Sequence, residues 1–391
     1  MAVHESRVPS PAYFVVTAPG LETITAAEMA ALGLEPGAVE AGGISFDGPA
    51  GALYRANLHL RTATRVIARV GEFQARHFAD LERHAKAQPW TRFLSPSRAV
   101  RLRVTCKKSK LYHSGAVAQR ISGAIAHALG RAPEMAKGSE DDDEGDDDAQ
   151  LVIVRLMHDR CTLSVDSSGA LLHRRGYRLQ TAKAPMRETL AAALLSASGW
   201  PGDAPLVDPM CGAGTVAIEG AMFARRMAPG AHREFAFMHW PNFDAALWKR
   251  MLEKAQDRVL PRVTAPIMAS DRDAGAIDAA RANADRAGVA ADIEFTHTAL
   301  SGIAPPSAPR GWLVTNPPYG VRVGDTKALR DLYAQLGNVA RRSCPGWTIA
   351  MISASAELER QVRVPFAVAL KTRNGGVPVR IVTARLGPGT P

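Results

Sequence analysis

The sequence predicts an α/β protein in which an α+β region precedes a doubly wound, mostly parallel sheet. Three observations lead to this prediction. From Pro185 onward the chain repeats a strand, a loop and a helix, the pattern of βαβ units with helices on both faces of a sheet. Before that point, strand-like and helical runs alternate without this repeat. Two unusual segments, DPMCGAG and NPPYG, each follow an apolar strand, where open α/β sheets bind their ligands.

The first region, from Tyr13 to about Arg178, is predicted to contain short strands and amphipathic helices. Polar and apolar residues alternate in AVRLRVTC (residues 99–106), which is typical of a half-exposed strand. SGAVAQRISGAIAHALG (residues 114–130) predicts a helix that ends at its last glycine. A helix is also predicted at LETITAAEMAAL, and further strands at YFVVTA, GGISFDG, LVIVRLM and CTLSVDSSG.

The second region begins with a predicted helix, RETLAAALLSAS, and then alternates strands with helices. Predicted helices are TVAIEGAMFARRM, AGAIDAARANADRAG and KALRDLYAQLGNVARRS. Predicted strands are APLVDPMCGAG, which runs into a glycine loop, APIMASDRD, DIEFTH, GWLVTNPPYG and GWTIAMISAS. The end of the chain, FAVALKTRNGGVPVRIVTARL, predicts two strands around a Gly-Gly turn.

The formal net charge is +10, and one segment conceals a larger basic excess. Residues 139–148, SEDDDEGDDD, contain eight acids, so the rest of the chain carries +18. A body this basic favours a polyanionic partner, most simply a nucleic acid, although an ordinary solvated surface of a basic protein would look the same. The acidic run is predicted to form a disordered loop over residues 137–150, because like charges repel and it has nothing apolar to bury.

Composition indicates a cytoplasmic protein. The N-terminus lacks the apolar stretch of a signal peptide, and the longest apolar run, LAAALLSASGW, is too short to span a bilayer. The cysteines show neither metal-ligand spacing nor a disulfide framework; they are Cys106, Cys161, Cys211 and Cys344. We therefore expect no metal, no membrane association and no obligate protein partner.

The loop VDPMCGAGT is predicted to bind a cofactor. Gly212 and Gly214 would let a ligand approach the backbone closely at a helix N-terminus. Asp208 precedes these glycines, where an acid would repel a pyrophosphate but suit a cation. Asp271 ends the next strand, where its carboxylate could accept hydrogen bonds from both ribose hydroxyls. These features favour S-adenosylmethionine, which carries a sulfonium and an ammonium group and no phosphate. A dehydrogenase loop or a purely structural turn would look similar.

The tetrapeptide NPPY suggests a site for a planar amino group. The Asn316 carboxamide oxygen and the Pro317 carbonyl can accept hydrogen bonds from such an amine, and Tyr319 offers a face on which a base can stack. Pro317 and Pro318 stiffen the turn. Two acceptors on the amine hydrogens free the nitrogen lone pair, so methyl transfer becomes an in-line displacement governed by positioning.

DPMCGAGT and NPPYG together resemble the class I S-adenosylmethionine-dependent methyltransferases that act on exocyclic amines of bases. DSSGALLHRRGYR followed by APMRETLAAALLSASGW resembles the THUMP-domain RNA guanine-N2 methyltransferases, in particular those that make N2-methylguanosine in bacterial 23S ribosomal RNA. The resemblance covers nearly the whole chain, including APGLETITAAEM. It implies a ferredoxin-like, THUMP-containing RNA-binding region at residues 1–178 and a Rossmann-like methyltransferase domain with a seven-stranded sheet at residues 179–391.

The resemblance also implies roles at matching positions. The helix at residues 187–189 would lie beside the cofactor. Members of this family usually carry an acid at the end of the third strand, contacting the adenine amine, and His297 stands there in this chain. Residues implied to hold the target amine are Asn316, Pro317, Pro318 and Tyr319. Residues implied to bind S-adenosylmethionine are Asp208, Met210, Cys211, Gly212, Gly214, Thr215, Asp271, Arg272, His297 and Asn316.

Two basic clusters are expected to contact RNA phosphates. The first is TCKKSKLYHSG with the helix that follows it, and the second is HRRGYR at the junction between the regions. Either could instead be an ordinary solvated surface. The candidate contacts are Lys107, Lys108, Lys110, Arg120, Arg174 and Arg175.

The sequence leaves the substrate open. Guanine-N2 methyltransferases of transfer RNA share this architecture, and NPPY would serve the N6 amine of adenine in DNA or RNA equally well. A nicotinamide oxidoreductase would leave NPPYG unexplained. A non-catalytic RNA-binding assembly factor is the alternative from another class, and the intact Asn316 and Asp271 argue against it. In each nucleic-acid case the base must be unpaired or flipped out to reach Asn316.

Overall fold

The computed structural model describes residues 13–136, 148–178, 186–319 and 326–387. Two seven-stranded sheets organise these residues, each with its own helices. The predicted disordered loop at residues 137–150 falls outside the described residues except for its last three. The junction at residues 179–185 and Gly320 of NPPYG are outside them as well. In the described part of the chain, no helix is long and apolar enough to cross a membrane.

The first sheet has the strand order β2-β3-β1-β4-β7-β6-β5. Its neighbours are antiparallel except for β5 and β6, which run parallel. The helix that follows β5 ends as predicted, at Gly130 with φ +72°. In chain order the elements are β1 (Tyr13–Thr17), α1 (Glu22–Ala31), β2 (Val39–Glu40), β3 (Gly43–Phe46), α2 (Ala50–His59), β4 (Ala63–Gln74), α3 (Phe78–Lys86), β5 (Val100–Lys107), α4 (Ser114–Leu129), β6 (Gln150–Met157) and β7 (Arg160–Asp166).

The second region confirms the prediction of a doubly wound, mostly parallel sheet. Its elements are α5 (Glu188–Ala197), β8 (Leu206–Asp208), α6 (Thr215–Ala224), α7 (Ala245–Gln256), β9 (Ile267–Asp271), α8 (Ala274–Arg286), β10 (Ile293–His297), β11 (Trp312–Thr315), α9 (Thr326–Ser343), β12 (Thr348–Ser353), α10 (Ala356–Gln361), β13 (Ala367–Asn374) and β14 (Val377–Arg385). The strand order is β10-β9-β8-β11-β12-β14-β13. The first five strands in this order are parallel, and β14 is antiparallel to both of its neighbours. This arrangement leaves β13 at the edge of the sheet.

An aromatic segment of the second region packs into the core of the first. Phe237 stacks on Tyr54 with ring centroids 4.5 Å apart, and Trp248 meets Tyr54 edge-on at 6.0 Å. The indole N–H of Trp240 donates a hydrogen bond to Gln150 over 2.9 Å. The chain between α6 and α7, and α7 itself, therefore contribute to the core under the N-terminal sheet. The domain boundary at residues 178 and 179 stays a prediction from the sequence.

A buried polar cluster joins the two halves beneath α6. The Glu219 carboxylate lies 3.7 Å from the Arg61 guanidinium and 3.5 Å from that of Arg175. The Tyr177 hydroxyl donates a hydrogen bond to the same carboxylate over 3.2 Å, and burial raises the pKa of Tyr177. Because α6 directly follows the glycine loop, this cluster fixes the loop relative to the N-terminal half.

Candidate active site

The two special segments meet at one edge of the second sheet. β8 lies between β9 and β11, and all three strands run in the same direction. Their carboxyl ends carry Asp208, Asp271 and Thr315, with Asn316 immediately after β11. Adjacent parallel strands thus bring the predicted cofactor residues and the NPPY turn to the same edge of the sheet, where open α/β sheets bind their ligands.

The glycine loop is tied to the end of β9. The Gly212 N–H donates a hydrogen bond to Oδ2 of Asp271 over 2.9 Å, and the Asp273 N–H donates to Oδ1 over 3.0 Å. Gly214 has φ +82°, and a Cβ there would lie 2.9 Å from the Cβ of Ala280 on α8. Glycine is therefore required at this position for its backbone conformation and for close packing of the loop on α8.

Asp208 is a buried carboxylate whose two hydrogen bonds end on one oxygen. Oδ1 accepts from the Thr315 hydroxyl over 2.9 Å and from the Met210 N–H over 3.3 Å. Burial, with a smaller contribution from the nearby Asp271, raises the pKa of Asp208 to about 7, against the lowering effect of the hydrogen bonds from Thr315 and Met210. No basic side chain in the described ranges forms an ion pair with Asp208. A cationic ligand at this edge of the sheet would therefore supply the missing countercharge.

One hydrogen-bond acceptor of the NPPY turn has no donor among the described residues. Oδ1 of Asn316 is buried and accepts no hydrogen bond from any residue that the structure describes. An unpartnered buried acceptor is costly, which points to a ligand that donates to it. The rest of the turn is anchored: the Tyr333 hydroxyl donates to the Pro318 carbonyl over 3.3 Å, and the Asn374 amide donates to the Tyr319 hydroxyl over 2.6 Å. Burial raises the pKa of Tyr319, so its hydroxyl is neutral.

The N-terminus of α5 is linked to the cofactor loop through Arg178, a contact that the sequence does not predict. The Arg178 guanidinium donates to the Thr215 hydroxyl over 3.0 Å and lies 3.3 Å from the carboxylate of Glu188. Burial raises the pKa of Glu188 to about 7, against the opposing effect of Arg178. The sequence predicts that the helix at residues 187–189 lies beside the cofactor, but it indicates only a basic cluster at HRRGYR. Nothing in the local pattern distinguishes Arg178 from its neighbours.

The remaining predicted cofactor residues lie near this edge of the sheet. His297, at the end of β10, is exposed, and its Nε2 lies 3.1 Å from the Arg272 carbonyl oxygen. Cys211 is buried, and its burial raises the pKa of the thiol well above the ordinary range. A protonated thiol of this kind serves packing rather than nucleophilic chemistry. Met210 packs against the core on the α9 side of the sheet.

The lysine cluster predicted to contact RNA is on the surface. Lys107, Lys108 and Lys110 are exposed at the end of β5, next to the exposed ring of Tyr112. Arg120 is exposed as well, but its guanidinium lies 3.3 Å from the Glu82 carboxylate. The lysines therefore offer the cationic part of this surface.

One predicted RNA contact needs correction. Arg174 is exposed, whereas Arg175 is only 6% exposed. The Arg175 guanidinium pairs with Glu219 and donates to the carbonyl oxygens of Leu172 and Arg61. Its charge is thus used inside the protein, where the junction needs it to neutralise a buried carboxylate. The local sequence does not indicate which of these two adjacent arginines is exposed and which is buried.

An α/β methyltransferase is defined by this strand order together with a glycine loop after β8 and the NPPY turn after β11. The chain belongs to the family described as "RMKL-like, methyltransferase domain" (UPF0020), which matches residues 175–381. The "RlmL ferredoxin-like domain" matches residues 12–67. The predicted fold class is therefore confirmed for both regions, and the THUMP assignment stays a prediction.

Relatives match the chain almost end to end. The "Putative RNA methyltransferase slr0064" of Synechocystis sp. is 36% identical over 376 residues, which is 96% of each chain. The crystal structure of SMU.472, "a putative methyltransferase complexed with SAH", has a TM-score of 0.85 at 29% identity, covering 98% of this chain and 99% of that one. A "predicted N6-adenine-specific DNA methylase" from Listeria monocytogenes has a TM-score of 0.84 at 32% identity and covers 99% of both chains. The predicted cofactor agrees with the SAH complex.

Proposed function

We propose that the protein transfers a methyl group from S-adenosylmethionine to the exocyclic N2 amine of a guanosine in RNA, and that this RNA is 23S ribosomal RNA. The observation that carries the proposal is the buried Oδ1 of Asn316, which lacks a donor among the described residues and belongs to the same turn as Tyr319. An amine of a flipped-out base would satisfy this oxygen. The turn thus provides an acceptor for the amine and a ring on which the flipped-out base can stack, and methylation of a base amine requires both.

The sheet edge beside Asn316 fits S-adenosylmethionine. Asp208 provides an uncompensated buried carboxylate for a cationic group, and Gly212 and Gly214 leave the loop backbone without side chains. Asp271 would accept hydrogen bonds from the ribose hydroxyls at the end of β9. The cofactor would supply an electrophilic methyl group on a sulfonium.

The residues of the NPPY turn would prepare the amine. Oδ1 of Asn316 and the Pro317 carbonyl accept its two hydrogens, which frees the nitrogen lone pair for attack. Tyr319 stacks on the ring and fixes its plane. Both prolines restrict the backbone, so the acceptors are held before the base arrives and little reorganisation is needed.

The choice of RNA rests on three supports. The relative from Synechocystis is named an RNA methyltransferase. The chain outside its acidic run carries +18, and three exposed lysines follow β5 in the N-terminal region. The resemblance of the junction sequence to guanine-N2 enzymes of 23S ribosomal RNA supplies the base and the RNA class.

A second candidate is methylation of the N6 amine of adenine. The relative from Listeria bears a name of this kind, with DNA as the substrate. The turn at Asn316 accepts hydrogen bonds from any planar exocyclic amine, so the site itself does not separate guanine from adenine. The two candidates predict different modified nucleosides.

Nucleoside mass spectrometry of a deletion strain tests the proposal. We expect N2-methylguanosine to disappear from one position of 23S ribosomal RNA and to return when the intact gene is restored. Loss of N2-methylguanosine from transfer RNA instead would identify transfer RNA as the substrate and support the same reaction. Loss of N6-methyladenine would favour the second candidate. Unchanged RNA and DNA modification would favour a non-catalytic RNA-binding role.

A further inference from the structure

A tight hairpin at the sheet edge reaches the NPPY turn. β13 and β14 are joined by Gly375 and Gly376, with φ of +53° and +84°, and Asn374 pairs with Val377. Two residues with positive φ between paired strands form the turn type that matches the twist of a hairpin. Glycine allows this conformation without strain. The backbone of Asn374 is therefore held by the ladder on one side and by the turn on the other.

The side chain of Asn374 contacts the aromatic residue of the turn. Its Nδ2 donates a hydrogen bond to the Tyr319 hydroxyl over 2.6 Å. Tyr319 is half-buried, and its ring packs against the hydrophobic core of the second sheet. Pro317 and Pro318 fix the backbone before Tyr319 but leave its side-chain torsions free. Packing against the core restrains the ring in part, and the hydrogen bond from Asn374 adds a restraint at its far end.

We propose that Asn374 is a positioning residue that holds the Tyr319 ring in the plane on which the target base stacks. The inference rests on the proposed function, because only a flat substrate needs this plane. Asn374 acts through Tyr319, because it donates to the hydroxyl at the edge of the ring and does not itself contact the base. A ring without this anchor rotates about its side-chain torsions, and the amine then drifts from the Asn316 acceptor.

The hairpin has a second support, independent of Asn374. A Cβ at Gly20, in the turn before α1, would collide with the carbonyl oxygen of Lys371 on β13. Leu21 follows Gly20 and is buried in the core of the second sheet. The N-terminal region thus packs directly on β13. Removing the Asn374 side chain leaves this contact and the β13–β14 ladder in place, so we expect the variant to fold.

The test is a double-mutant cycle on the full chain. Asn374→Ala, Tyr319→Phe and the double variant are compared with the wild type and with Asn242→Ala, which removes an exposed asparagine between α6 and α7. Each protein transfers tritiated methyl groups from S-adenosylmethionine to 23S ribosomal RNA from the deletion strain, with transfer RNA from that strain as a second acceptor. The kcat, the KM for RNA, the Kd for S-adenosylmethionine and the Tm are measured.

We expect Asn374→Ala to lower kcat about 3- to 10-fold, the effect of one net hydrogen bond. Tyr319→Phe should do the same, the double variant should be no worse than either single one, and Asn242→Ala should match the wild type. The cofactor Kd should stay unchanged, and the Tm should fall by no more than about 2–4 °C, equally in both single variants; a merely structural role would lower the Tm without lowering kcat. An unchanged kcat in Asn374→Ala, or additive losses in the double variant, would overturn the positioning role alone. A wild type that methylates neither RNA would overturn the proposed function and this inference with it.

Discussion

Replacing Asp208 with asparagine should stabilise the protein and weaken its cofactor binding. Both hydrogen bonds of Asp208, from Thr315 and from the Met210 N–H, end on Oδ1, and the asparagine carbonyl can accept both. The substitution therefore removes a buried charge and little else. Burial places the pKa of Asp208 at about 7, against an ordinary value of 3.8. The folded protein thus resists ionisation of a group that ionises readily when unfolded.

The sign and size of the effect follow from this difference. Because the folded-state pKa is the higher one, its contribution to stability is fully present below about pH 4 and is lost as pH rises to about 7. A difference from 3.8 to about 7 corresponds to at most about 4 kcal/mol above pH 7. Asparagine does not titrate and avoids this cost. For a cationic cofactor the loss of the carboxylate should raise Kd about tenfold or more.

Thermal unfolding without cofactor, from pH 4 to pH 8, checks the stability of Asp208→Asn. We expect its Tm to exceed that of the wild type by several degrees at pH 8 and the two to converge near pH 4. Calorimetric titration with S-adenosylmethionine should show wild-type affinity falling as pH drops below about 7, and a weak, pH-independent affinity in the variant. An equal or lower Tm at pH 8 together with unchanged affinity would refute the assignment of Asp208 as the countercharge.

Three further substitutions test the remaining parts of the site. Asn316→Ala should lower kcat at least about 100-fold, by analogy with the loss of one preorganised polar group, while calorimetry finds cofactor affinity near that of the wild type; near-normal turnover would reject the acceptor role. Charge reversal at Lys107 and Lys108 should weaken RNA binding and reduce its salt dependence, measured by filter binding over a roughly sixfold range of salt concentration. Charge reversal of two lysines on α7 is the control. Gly214→Ala should lower the free energy of unfolding by about 1–3 kcal/mol, and more than Gly288→Ala, which has φ +69° but open space around its Cβ.

The sequence predicted the placement of the candidate site residues where they end or follow a strand. Asp208, Asp271 and Asn316 each end or follow an apolar run, and parallel strands must bring such positions to one edge of the sheet. The Gly-Gly turn near the C-terminus was equally visible, because only hairpins of one type demand positive φ at both central residues. These features depend on local pattern and on rules that hold for every open α/β sheet.

Contacts between distant segments were not predictable in this way. Arg175 looked like its exposed neighbour Arg174, and only the fold brings Glu219 of α6 against it. The stretch around Phe237 belongs by position to the second region, yet its aromatic rings complete the core of the first. Each of these arrangements depends on a partner more than 40 residues away, for which the local sequence carries no periodic signal.

A single peptide unit connects the two halves of the proposed chemistry. The Thr315 hydroxyl donates a hydrogen bond to Asp208, and Oδ1 of the next residue, Asn316, is the acceptor without a partner among the described residues. Thr315 is the last residue of β11 and Asn316 directly follows it, so the residue that contacts Asp208 and the residue with the open acceptor are adjacent in the chain. The distance between the two sites is therefore set by rigid backbone rather than by a flexible loop. Since methyl transfer is an in-line displacement governed by position, this link determines whether the amine and the methyl carbon align.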